Sequence, residues 1–143
     1  NIERLQFADK GLAFDIDGHA GVAAKTLGLV FGTEAAQVPN YVGICLDYLD
    51  NKQYTAAQLM HEALLIRLGS DASNPEKLVS FVYERLTGVL PVQSEKDKYV
   101  SWITSGVYTA DGLAVYASEL SLNPITAQLT GLSTTGLAFQ MPG

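Results

Sequence analysis

Apolar side chains alternate with polar ones at Leu5 and Phe7 and again at Leu12, Phe14 and Ile16, the two-residue period of a half-buried strand. Between the two runs Ala8-Asp9-Lys10-Gly11 has turn chemistry, so residues 1–17 are expected to form a short β-hairpin or a pair of edge strands. From His19 the spacing becomes helical. Val22, Ala23, Leu27, Val30 and Phe31 fall on one face and Gly32 supplies a stop. Pro39 suits the first turn of a second helix that turns Val42, Cys45, Leu46 and Leu49 inward until Asn51-Lys52 breaks it. Thr55 is placed to cap a third helix, Ala56–Leu68, whose inward side is Leu59, Met60, Ala63, Leu64 and Ile66, with Gly69 as its C-cap.

A second set of signals follows. Asn74-Pro75-Glu76 opens a helix with Leu78, Val79, Phe81, Val82 and Leu86 inward and Gly88 at its end. Ser94 with Asp97 resembles a capping box for a helix through Tyr99, Val100, Trp102 and Ile103. Thr109 caps Ala110–Leu120, and Asn123-Pro124 starts a last short helix towards Gly131. The tail 132–143 either adds a strand through Leu137-Ala138-Phe139 or stays loose.

These two sets are copies. Leu46–Leu59 (LDYLDNKQYTAAQL) is echoed by Val100–Leu113 (VSWITSGVYTADGL): Tyr48-Leu49 answers to Trp102-Ile103, Tyr54 to Tyr108, Thr55 to Thr109 and Leu59 to Leu113. The fold class expected is mainly α, two pseudo-repeated three-helix units at about 19–70 and 74–131 packed as one compact bundle over 18–143, preceded by the hairpin. Two units are too few for a solenoid, which generally needs about three or more.

Length and composition narrow the function classes. A chain of 143 residues, 48% hydrophobic and 17% charged, fits one globular domain with its own core. A net charge of −6 with nine scattered basic residues excludes a nucleic-acid partner, which needs clustered Lys and Arg. No apolar run is long enough to span a bilayer, and no amino-terminal signal peptide is visible. The single cysteine, Cys45, sits in a helical run and reads as a buried thiol; scarce cysteine and net acidity suit export into calcium-containing surroundings without deciding the compartment.

Candidate chemistry is sparse. Asp15-Ile16-Asp17-Gly18 resembles the start of a calcium loop, so Asp15 and Asp17 are the candidate metal ligands and calcium the candidate cofactor. The twelfth loop position, where a bidentate Glu belongs, falls on Thr26, and capping of the first helix by Asp17 is the simpler expectation. His19 and His61 belong to no metal-binding spacing and read as surface or helix-terminal residues. No nucleophile elbow, phosphate loop or paired-carboxylate signature occurs, so no catalytic residue is assigned. The seven tyrosines and Trp102 stand mostly at helical spacing, which favours a packing role over a sugar-binding platform while leaving hydroxyls free to reach the surface.

The opening Asn1-Ile2-Glu3-Arg4-Leu5-Gln6-Phe7-Ala8-Asp9 with Leu12-Ala13-Phe14-Asp15 resembles the segment that closes the RTX, or haemolysin-type calcium-binding, repeat region of large secreted bacterial proteins. The remainder, with two Tyr-Thr-Ala units and the ending Leu129-Thr130-Gly131-Leu132-Ser133-Thr134-Thr135-Gly136-Leu137, resembles a helical domain of unknown function found at the carboxyl end of such exoproteins and adhesins. The calcium-binding nonapeptides themselves are absent from this stretch. The resemblance implies that Asn1 follows an upstream repeat region, that export is of type I with an uncleaved signal near the carboxyl terminus, and that the protein resides outside the cell or on the bacterial surface. It implies a non-catalytic terminal module serving secretion, surface retention or assembly, with a protein, a cell-surface component or the type I exporter as partner. The alternatives are a small secreted domain that binds a glycan or protein partner through exposed Tyr and Trp, and a part of a secreted hydrolase.

Overall fold

A computed structural model describes residues 4–6, 11–13, 18–32, 34–120 and 137–139. Strand β1 (Arg4–Gln6) pairs antiparallel with β2 (Gly11–Ala13), Leu5 facing Leu12. Strand β3 (Leu137–Phe139) joins the other side of β2, so the expected hairpin is part of a three-stranded sheet of order β1-β2-β3. The carboxyl-terminal tail therefore returns to the amino-terminal segment.

Six helices are described: α1 (His19–Phe31), α2 (Pro39–Leu46), α3 (Ala56–Leu68), α4 (Pro75–Thr87), α5 (Gln93–Thr104) and α6 (Ala110–Ser118). Helix α2 runs on into a single wider, π-helical turn, Asp47–Asn51. Most ends follow from local chemistry. Thr55 and Gln58 form a reciprocal capping box at α3, Asn74 accepts from the Glu76 and Lys77 amides at α4, and Thr109 accepts from the Gly112 amide at α6. Gly88 closes α4 in the left-handed region at φ 82°, where a side chain would be strained.

Two expected caps are corrected. Gly18, not Asp17, holds the N-cap position of α1, because its carbonyl takes the first helical bond from the Val22 amide at 3.1 Å. Helix α5 starts at Gln93 behind an extended Val92, which places Ser94 inside the first turn; Asp97 instead accepts from the Gln93 side chain at 2.7 Å.

The two units share a plan. Helix α1 packs on α2 and α3, and α4 packs on α5 and α6; the units join through α1–α4, α1–α6 and α3–α6. One core cluster lies within the first unit, where Ala20, Ala23 and Leu27 of α1 meet Cys45 and Leu46 of α2, Leu59 of α3 and Phe139 of β3. The other lies between the units and holds Leu29, Met60, Leu64, Leu78, Val82 and Ala114. Among the described residues the second unit shows no cluster matching the first; on α5 Tyr99, Val100, Trp102 and Ile103 are half-buried, with Ile103 packed against the second cluster. Ile66 is 76% exposed: the buried residues of α3 are Leu59, Met60, Ala63 and Leu64, and Ile66, at the edge of that stripe, is left uncovered. Phe31 is also exposed.

Candidate functional site

The duplicated stretch forms the same junction twice. In the first copy the Tyr54 amide donates back to the Tyr48 carbonyl at 2.9 Å; in the second the Tyr108 amide donates to the Trp102 carbonyl at 3.0 Å. The ring centroids of Tyr48 and Tyr54 lie 4.8 Å apart with planes at 39°, and those of Trp102 and Tyr108 5.9 Å apart at 38°. Each junction leads into a threonine N-cap and a buried leucine, Leu59 or Leu113. Helix starts Pro39 and Gln93, and Ala56 and Ala110, are separated by the same interval as Tyr54 and Tyr108, so α2 answers to α5 and α3 to α6.

Against that shared plan the fillings differ. Where α2 carries Cys45 and Tyr48, α5 carries Tyr99 and Trp102 at the matching positions. In the first unit Ala20, Ala23 and Ala24 of α1 share the core cluster with Cys45 and Leu46 of α2. In the second unit the matching space is lined by Tyr83 on α4 and by the rings of Tyr99 and Trp102 on α5. This space is a groove of about 330 Å³ between α4, α5 and α6, floored by buried Val79 and Leu113 and walled by Tyr83, Tyr99, Trp102 and Tyr116. Its volume lies at the lower end of the range of about 300–1,000 Å³ typical of ligand clefts.

The rings form a continuous ladder. Tyr83 and Tyr99 are 6.4 Å apart, Tyr99 meets Trp102 edge-to-face at 4.9 Å and 88°, and Tyr108 meets Tyr116 at 5.6 Å. Lys98 Nζ stands 5.2 Å from the Tyr99 ring and 5.9 Å from that of Trp102. Polar groups in the lining are few, chiefly Thr87 and Glu95. The connector next to these two residues leaves Val89, Leu90 and Val92 more than 60% exposed, extending apolar surface from the groove mouth. None of the seven tyrosines nor Trp102 is fully buried, and Tyr41 and Tyr116 are exposed. The packing role expected of them is thus shared with the surface.

A second, more open and polar hollow lies where α3 meets α6, lined by Tyr54, Gln58, His61, Glu62, Thr109 and Asp111. Here His61 Nδ1 and Asp111 Oδ2 are 3.0 Å apart, an exposed pair that ties one unit to the other. His19 at the start of α1 makes the corresponding kind of contact inside the first unit, 2.5 Å from Asp50 in the turn after α2. Both histidines are on the surface as their spacing suggested, while their carboxylate partners, 31 and 50 residues away, carry no sequence signal.

Asp15 and Asp17 lie outside the described residues. A twelve-residue calcium loop reaching Thr26 does not form, because α1 begins at His19 and Thr26 is buried within it. Among the described residues no group of three or more His, Cys, Asp or Glu converges as a metal site, and no helix is long and apolar enough to cross a membrane. Cys45 is buried, and desolvation pushes its thiol from 9.0 up to about 12, so it is a neutral core residue and not a nucleophile. The last short helix expected at Asn123–Gly131 also falls outside the described residues. No protein family, curated protein or solved structure matches the chain.

Proposed function

We propose that the chain is a non-catalytic docking module of an exported bacterial protein, and that the groove between α4, α5 and α6 holds the component to which that protein is retained or with which it assembles. The observation that carries this reading is the difference between two otherwise matching units. The first encloses a core cluster where the second opens an aromatic-walled groove. At the matching positions the first unit carries Cys45 and Tyr48 and the second Tyr99 and Trp102. Leaving four large rings at a cleft wall is what a contact surface needs, since Tyr and Trp dominate interface energetics.

The chemistry of the lining supports contact over reaction. Glu95 is the carboxylate in the wall, and the other titratable groups there are phenols. A hydrolase would need a second acid or base positioned with it. Export and surface residence rest on the resemblance of the opening segment and the helical repeat, and the type I exporter stays among the candidate partners.

Fusing residues 1–143 to a passenger in a host with a type I exporter tests both halves of the reading. Export with retention on the producing cell is expected for the native sequence. Replacement of both Tyr99 and Trp102 by Ala is expected to release the passenger into the medium, because each truncated aromatic anchor commonly costs about 2 kcal/mol or more, roughly thirtyfold in affinity. Absence of export together with absence of cell binding would overturn the proposal.

A further inference from the structure

We propose that residues 47–53 are a two-register joint, able to hold either the wide turn seen after α2 or the narrower α-helical turn that the matching stretch of the second unit adopts. The inference goes beyond the docking reading and does not depend on it.

The two junctions close on the same bond by different routes. Tyr54 donates to the Tyr48 carbonyl and Tyr108 to the Trp102 carbonyl, at 2.9 and 3.0 Å. In the first junction the Lys52 amide donates to the Asp47 carbonyl at 3.1 Å, the five-residue step of a π turn. In the second, Ser105, the counterpart of Asn51, donates to the Ser101 carbonyl at 2.9 Å, the four-residue step of an α-helix. The left-handed residue that turns the chain moves with the winding. It is Gly106, at φ 87°, in the second junction. In the first, its counterpart Lys52 keeps φ −98° and the next residue, Gln53, takes φ 58°. Among the described residues Gln53 is the only non-glycine residue with a positive φ. Because the closing bond is common to both junctions, one winding can replace the other without moving α2 or α3.

Side chains hold the wide register. A left-handed backbone costs a residue with a side chain about as much at position 52 as at 53, so the backbone alone sets no preference. Asp47 supplies one: its Oδ1 accepts from Asn51 Nδ2 at 2.7 Å and its Oδ2 lies 3.7 Å from Lys52 Nζ. Lys52 Nζ also stands 4.3 Å from the centre of the Tyr48 ring, and Asp50 meets His19 at the start of α1. At the matching positions the second junction has Ser101, Thr104, Ser105 and Gly106. There the Ser101 and Thr104 hydroxyls donate to the Lys98 and Ser101 carbonyls of their own helix, and glycine takes the left-handed position without strain.

The contacts of Asp47, Asp50 and Lys52 are solvent-exposed, individually weak and screened by salt, so the wide register is held by a small margin. Leaving it carries Asp50, Asn51 and Lys52 around the helix axis and parts Asp50 from His19, which links the junction to the start of α1. A π turn beside a strained residue is the usual mark of a segment with two arrangements.

Backbone NMR of the intact chain tests this, the sign of φ at positions 52 and 53 being read from carbon shifts and amide couplings. The native chain is expected to show positive φ at 53, with microsecond-to-millisecond exchange at residues 50–53 and none at 104–107, where Gly106 fixes the narrow turn. Lys52→Gly is expected to move the positive φ to position 52, a change of about tenfold in the balance of registers. Asp47→Ala, which leaves lysine at 52 and removes its partner, is expected to raise the minor population about threefold, and about 1 M sodium chloride to raise it in the native chain. Both variants are checked for native helical content. Positive φ that stays at 53 in Lys52→Gly, or exchange that is absent from 50–53 or equal in the two junctions, overturns the joint. Exchange unmoved by Asp47→Ala and by salt overturns the part given to the side chains that hold it.

Discussion

Cys45 and Arg85 show how single side chains hold this fold. Burial favours the neutral thiol of Cys45, raised to about 12 from 9.0. An acid raised in the folded state contributes stability that is complete below the unfolded value, and that stability declines as the pH climbs from one value towards the other. Folding free energy should therefore fall above pH 9 by about 1.4 kcal/mol per pH unit until about pH 12, and Cys45→Val should lessen that fall. Urea unfolding across pH 8–11 measures it. A thiol reagent at pH 8 should leave the folded chain unmodified and react once it is unfolded. Arg85 works across the unit boundary. Its Nε donates to the Leu29 carbonyl at 2.7 Å and one terminal nitrogen to the Val30 carbonyl at 3.2 Å, capping the end of α1 from α4. Burial first, and the charge of Arg67 second, lower its pKa, the usual mark of a guanidinium partly out of water. Arg85→Met should destabilise the chain by about 2 kcal/mol, since two carbonyls lose a charged donor. A shift in the urea midpoint under half that size would contradict the capping role.

Helix ends are where the sequence was most readable. Thr55, Asn74 and Thr109 are short polar residues whose oxygens reach the amides two or three positions on, and each is found doing so. Thr55→Ala removes the reciprocal box at α3 and should cost about 1 kcal/mol in chemical denaturation. Gly112→Ala should cost a comparable amount by another route, because the added Cβ would stand 2.9 Å from the Thr109 hydroxyl that caps α6. The start of α5 was misread for a physical reason. Ser94 and Asp97 have the residue types of a capping box, but the extended Val92 after Pro91 sets the helix start two residues earlier. The inward side of α3 was overdrawn at Ile66, since a helix rich in Leu, Met, Ala and Ile offers apolar residues all round and only packing decides which are covered.

Taken whole, the molecule is one plan used twice with different fillings. The repeat was legible because the junction depends on local geometry, a backbone bond six residues long and a threonine cap, and these leave a mark on nearby residues. The groove was not, because it arises from the contrast between Cys45 and Tyr48 on α2 and Tyr99 and Trp102 on α5, which matters only once each helix has neighbours. The aromatic residues were visible at helical spacing, and spacing alone assigned them to packing. The same blindness to tertiary contact hid the His61–Asp111 pair between the units. The test that reaches this asymmetry most directly compares matched variants of the two junctions. Passenger retention on the cell surface is measured for the native chain, for Tyr48→Ala in the closed unit and for Trp102→Ala in the open one, each checked for helical content. Loss of about thirtyfold in surface binding for Trp102→Ala with little change for Tyr48→Ala is the outcome expected of an aromatic anchor in a docking groove. Equal loss in both variants, or retention unaffected by Trp102→Ala, would contradict it.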